Sequence, residues 1–153
     1  MQNKKSVGYL FLMIIGLLIL VILFLGQMMS FIDYDFKVSI GLQEAVEIVG
    51  EMGVAVNKGF GVGDTIIYTP LLLFGLLGLW FKRKWGVVSM IGALAITAYW
   101  PVVSIFIIFF GVGVPGFNFT DFTSYVIVLT LISLYGIWGI WFIYKNQNLS
   151  INN

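Results

Sequence analysis

Between Lys5 and Asp33 the chain carries no charge, and residues 7–30 read VGYLFLMIIGLLILVILFLGQMMS. A run of about 20 apolar residues is what a helix needs to cross a hydrocarbon layer of ~30 Å. The lysines before it also suit a secretory signal. The apolar core of such a signal is only about 7–15 residues long, and no small-x-small cleavage site follows here, so an uncleaved first span is expected. Three more uncharged blocks follow, at residues 65–81, 85–111 and 122–144, the first extendable to residue 63 through its glycines. Lipid tolerates only helices or closed barrels, because every backbone amide must be satisfied internally. The blocks are continuous rather than alternating, so they read as helices. Composition excludes an ordinary soluble domain: of 153 residues 60% are hydrophobic and 10% charged, too few to build a wetted surface.

The expected fold is therefore all-α: an integral membrane, four-helix transmembrane bundle. The spans fall at about 7–30, 63–81, 85–111 and 122–144. An external loop with one short amphipathic helix, 31–62, lies between spans 1 and 2, and a tail occupies 145–153. Basic residues give the expected direction. One side of the bundle holds Lys4, Lys5, Lys82, Arg83, Lys84 and Lys145 without an acid. The other holds Lys37, Lys58 and all the acids: Asp33, Asp35, Glu44, Glu47, Glu51, Asp64 and Asp121. Both termini are expected in the cytoplasm, and the plasma membrane of a prokaryote is the expected location.

In the external loop, GLQEAVEIVGEMGVAV (41–56) puts Leu42, Val46, Val49 and Val56 on one helical stripe and Glu44, Glu47 and Glu51 on another. Its apolar face is expected to pack on the bundle, since an acidic face has no attraction to anionic lipid. Helix-spaced glutamates are usually a solvated face, and without a calcium loop no metal site is assigned. NKGFGVGDT (57–65) fits no phosphate-loop spacing and reads as a flexible joint. Asp64 is expected to cap the second span, and Thr120 or Asp121 the fourth. Two sequons, at Asn118 and Asn148, read as chance occurrences.

Chemistry is constrained by what is missing. The sequence contains no cysteine and no histidine, which removes thiolate sites and the commonest general base. No charge is expected at depth in a span, unlike ion-coupled pumps or voltage sensors. Small and hydroxyl residues recur every three or four positions along the third span: Gly86, Ser89, Ala93, Thr97, Pro101 and Ser104. Such a stripe lets helices approach closely, so Ser89 and Ala93 are assigned to helix packing. The tripeptides Tyr68-Thr69-Pro70 and Tyr99-Trp100-Pro101 fall at similar heights, where proline kinks free backbone carbonyls. One reading is an outward cavity lined by Tyr68, Thr69, Thr97, Tyr99 and Trp100, against interfacial aromatics beside ordinary kinks.

Finally, FGLLGLWFKRK (74–84) is echoed by YGIWGIWFIYK (135–145). Both end spans at the basic face. Gly75, Gly78, Gly136 and Gly139 would offer flat packing surfaces, and Trp80 and Trp141 would sit in the aromatic belt. The echo also raises a duplication of two helical hairpins. No catalytic residue, cofactor or nucleic-acid partner is expected. The leading expectation is a non-enzymatic accessory, scaffolding or assembly subunit that binds another membrane protein. The alternative is a protomer of an oligomeric transporter or channel for a neutral or lipid-like solute. Partners are then the lipid bilayer and either a membrane protein or a second copy of the chain.

Overall fold

The computed structural model describes residues 6–119 and 121–146. They are mostly helical, without a strand among the described residues, and four helices are long and apolar enough to cross a membrane. These are α1 (Val7–Ile32), α3 (Val46–Trp80), α4 (Lys84–Gly111) and α5 (Phe122–Lys145). A short helix, α2 (Tyr34–Ser39), joins α1 to the approach of α3. Asn148 of the second sequon, Thr120, Lys4 and Lys5 lie outside the described residues.

Side-chain caps start three of the helices. Ser6 caps α1 by accepting from the Tyr9 amide at 3.2 Å. Asp33 caps α2 through the Phe36 amide at 2.9 Å, and Asp121 caps α5 through the Ser124 amide at 3.4 Å. Along α1, Tyr9, Leu12, Gly16 and Leu20 form a buried line at helical spacing, while Leu10, Ile14, Leu17 and Val21 face outward. Lipid solvates such an outward face at no cost.

The middle of the bundle is α4. Its Met90, Ala93, Leu94 and Thr97 are buried, and both glycine pairs of the echo press against it. Gly75 lies so close that a Cβ there would stand 2.8 Å from the Met90 Cα, and a Cβ on Gly78 would overlap the backbone of Gly86. Gly136 approaches the Ala98 amide nitrogen as closely, at 2.6 Å for its missing Cβ. Gly139 seats the Leu94 side chain and also meets Leu12 of α1. Two-fold-related hairpins would send Gly136 to α1, as they send Gly75 to α4. It packs on α4 instead, so the echo serves two different contacts.

Buried hydroxyls join the helices through backbone carbonyls, where lipid offers no alternative partner. The Tyr135 hydroxyl donates to Leu12 O at 2.8 Å, and Ser133 donates to Ala98 O at 2.8 Å. That carbonyl is one residue past the one that Pro101 leaves without a helical donor. At the other end of the bundle, the α3–α4 turn closes with Lys82 at φ 53, Arg83 N donating to Gly78 O at 2.7 Å. Trp80 and Trp141 are exposed near that end.

The segment between α1 and α4 departs from expectation. Residues 41–56 do not form a separate amphipathic helix: 40–45 are non-helical, and the chain enters α3 at Val46. Gly50 breaks α3 at φ 69, and from there the helix continues through Gly59, Gly61 and Gly63 to Trp80. The expected glycine joint is thus helix. The reason at Gly61 is proximity: its missing Cβ would stand 2.5 Å from Gln27 O of α1 and 2.8 Å from the Ser30 Cβ. Asp64 consequently caps nothing. It begins a π-helical turn inside α3, Asp64–Tyr68. A second π-helical turn, Leu23–Gln27, lies in contact with it in α1. Such turns widen a helix locally and recur at functional sites. Pro70 lies two residues past the α3 turn, at the start of the regular helix that follows.

Candidate functional site

Between the start of α3, the far end of α4 and the start of α5 lies a cavity of about 520 Å³ that Gln27 and Asp64 of the two π-turns help to line. Its roof is the 112–121 connection, held down on the start of α3. Asn118 N donates to Ile48 O at 2.6 Å, and its side-chain amide donates to Glu47 O at 3.0 Å. Gly50 permits this closeness, since a Cβ there would stand 2.9 Å from Gly116 O. On the α2 side the Tyr34 hydroxyl donates to Glu44 O at 2.9 Å and accepts from the Asn57 amide at 3.3 Å.

Two ionisable side chains are buried here. Lys37 is only 3% exposed, and its ammonium donates to Ser30 Oγ at 2.6 Å and to Gln43 Oε1 at 2.8 Å. Ser30 in turn donates to Gly26 O at 3.1 Å. Burial lowers the Lys37 pKa to about 8, an effect opposed by the negative charge of Asp64. Asp64 is 7% exposed and lines the same cavity. Among the described residues no hydrogen-bond donor reaches its carboxylate, and the Lys37 charge acts on it without forming an ion pair.

Asp64 lies inside α3, 16 residues before its end at Trp80, or roughly 24 Å along the axis. Sequence reasoning missed the pair because Lys37 sits in a polar connection and Asp64 directly before an apolar run. Only the continuation of α3 through the glycines brings them to one cavity.

The residues assigned to a cavity from sequence are dispersed. Tyr68 and Thr97 do meet, their hydroxyls 2.7 Å apart, and the Thr97 hydroxyl also bonds Ala93 O at 2.8 Å. Thr69 is buried, and Tyr99 is 69% exposed and faces away. Of the five only Trp100 lines the cavity described here. Its indole nitrogen is buried without a hydrogen-bond partner among the described residues. Ser104, from the same stripe of α4, lines the cavity too, whereas Ser89 is partly buried and Ala93 fully buried nearer the basic end. Glu44 turns inward and accepts from the Tyr125 hydroxyl at 3.1 Å. Among the described residues no three carboxylates converge on a point that could hold a metal ion.

No family model, no curated protein and no solved structure matches the chain. Function must be argued from the cavity.

Proposed function

We propose that this chain is a multi-pass integral membrane protein that works by binding rather than by catalysis, as the solute-holding protomer of a carrier for a lipid-like molecule. The observation that supports this is the cavity of about 520 Å³, a volume typical of small-molecule sites, with a mostly apolar lining and a few polar groups. Its lining draws on α3, α4 and α5, helices that would cross the membrane in this proposal and would let an amphiphile reach the site from the bilayer. This reading moves ahead of the accessory-subunit reading, which leaves the cavity without a purpose.

Native mass spectrometry of the protein in a mild maltoside detergent tests the proposal. The expected spectrum shows one small amphiphile per chain, lost in Ser104→Trp, which fills the cavity. A second polypeptide held in fixed ratio, with no bound amphiphile, would favour the accessory subunit instead.

In this proposal the α3–α4 turn and both termini lie on the cytoplasmic side of a prokaryotic plasma membrane, the direction that the distribution of basic residues favours. Because the chain has no cysteine, single cysteines can be read cleanly. Ser39→Cys should react with an impermeant maleimide on whole cells, and Asn146→Cys only after permeabilisation. The reverse pattern inverts the topology.

A further inference from the structure

The lining of the cavity is unbalanced in charge. Among the described residues that line it, Lys37 is the one base, against three acids, Glu44, Glu51 and Asp64. These groups are not equally available. The Lys37 ammonium is engaged by Ser30 and Gln43, and Glu44 already accepts from Tyr125. Glu51 is exposed, which leaves Asp64, 7% exposed and without a donor among the described residues. A buried carboxylate left in that condition is costly, and a cationic ligand is the natural relief.

The cavity also offers aromatic surface. Trp100 lines it from α4 and Tyr125 from α5. Trp100 lies 16 residues after Lys84, the start of α4, and Asp64 lies 16 residues before Trp80, so both stand roughly 24 Å above the α3–α4 turn. A carboxylate and an indole at one height suit an organic ammonium ion, whose diffuse charge favours aromatic faces. A bare metal ion is poorly served, since the carboxylates do not converge. Ile107 and Ile108 continue the lining with apolar surface that an alkyl tail can cover.

We propose that the cavity receives the ammonium head of an amphiphilic cation, with Asp64 as its counter-ion, Trp100 and Tyr125 as aromatic walls, and the tail along the isoleucines of α4. The assignment rests on the ligand-binding reading above and specifies the class of ligand.

The test uses the full chain in dodecyl maltoside, with binding read by intrinsic tryptophan fluorescence and by the shift in thermal unfolding. Dodecyltrimethylammonium should bind saturably, while dodecyl sulfate at equal concentration should not. Tetramethylammonium, which has the head without the tail, should bind at least about tenfold more weakly. Asp64→Asn should weaken dodecyltrimethylammonium about tenfold or more, while Asp64→Glu, which keeps the charge, should stay within roughly threefold. Lys37→Met, by removing the opposing charge, should tighten it. If Asp64→Asn is too unstable to purify, the Asp64→Glu and Lys37→Met results decide by themselves. Equal binding of dodecyl sulfate, equal binding of tetramethylammonium, or an Asp64→Asn variant that binds like the parent would each overturn the assignment. In those cases saturable binding of any probe leaves the ligand-binding reading standing. Absence of saturable binding by all three probes removes both.

Discussion

The two ends of this bundle solve the same packing problem in opposite ways. Toward the α3–α4 turn the helices touch backbone to backbone: Gly75 and Gly78 lie against Met90 and Gly86, and Gly136 against Ala98. Toward the 112–121 connection α1 and α3 each widen into a π-turn, α3 breaks at Gly50, and α4 carries Pro101. Close contact at one end holds the helices; at the other α1 and α3 still touch at Gly61 and Gln27, and the room for side chains and a ligand lies between the start of α3 and the far end of α4. Glycine takes part in both, so its presence alone does not say which role a segment has. What decides is whether another helix lies where the Cβ would be.

That contrast can be broken at either end. The largest effect is expected from Gly78→Leu, whose side chain has no space beside Gly86. Overpacking of this kind costs about 1–3 kcal/mol or more, and here the obstacle is backbone that cannot rotate away. Size-exclusion chromatography in detergent should show a loss of monodisperse protein. If Gly78→Leu behaves like the parent, the close α3–α4 contact is not what holds that end.

At the cavity end the expected signature is a pH dependence. Burial lowers the Lys37 pKa from 10.5 to about 8, so above pH 8 the folded protein releases a proton that the unfolded chain still holds. Stability should therefore rise as pH climbs from about 8 to about 10.5. Below pH 8 both states are protonated, and the cost of burying the charge is constant. Thermal unfolding followed by tryptophan fluorescence should show the rise in the parent and a flattened profile in Lys37→Met. An equal slope in both would remove Lys37 as its source.

A middle-sized effect belongs to Tyr135→Phe, which deletes the hydrogen bond to Leu12 O that ties α5 to α1. The expected loss is about 0.5–1.5 kcal/mol, seen as a lower unfolding midpoint with the elution volume unchanged. The smallest effect is expected from Gly59→Ala. Gly59 is helical, and nothing lies within 4 Å of where its Cβ would be. Alanine there should stabilise by about 0.4–1 kcal/mol through the unfolded chain. A loss of stability at Gly59→Ala would mean that residues 57–63 are the flexible joint their composition suggests.

Much of the fold was legible because lipid crossing is a one-dimensional property. An uncharged apolar run of sufficient length must be a helix wherever it packs, and the tight turn between residues 81 and 85 makes α3 and α4 antiparallel neighbours. Caps at Asp33 and Asp121 depend on neighbours three residues away; the Asp121 cap was among the expectations. The packing role of the glycine pairs was legible as well, because small residues at helical spacing have few other uses in lipid.

The start of α3 was not legible. Val46–Gly63 carries five glycines and three charges, a composition that reads as loop by local propensity. It becomes helix because Gly61 must pass Gln27 and Ser30 closely and because Asn118 caps the kink at Gly50 from the other end of the chain. Both are contacts between residues far apart in sequence. The same long-range contacts bury Lys37 and carry Asp64 to the cavity, so the candidate site was hidden together with the helix that forms it. By itself, the sequence determined that the chain is a set of apolar helices with a basic end and an acidic end, since composition and charge act residue by residue. Only the tertiary structure decided where those helices touch and where they part, because a missing Cβ matters only when another backbone arrives to occupy its place.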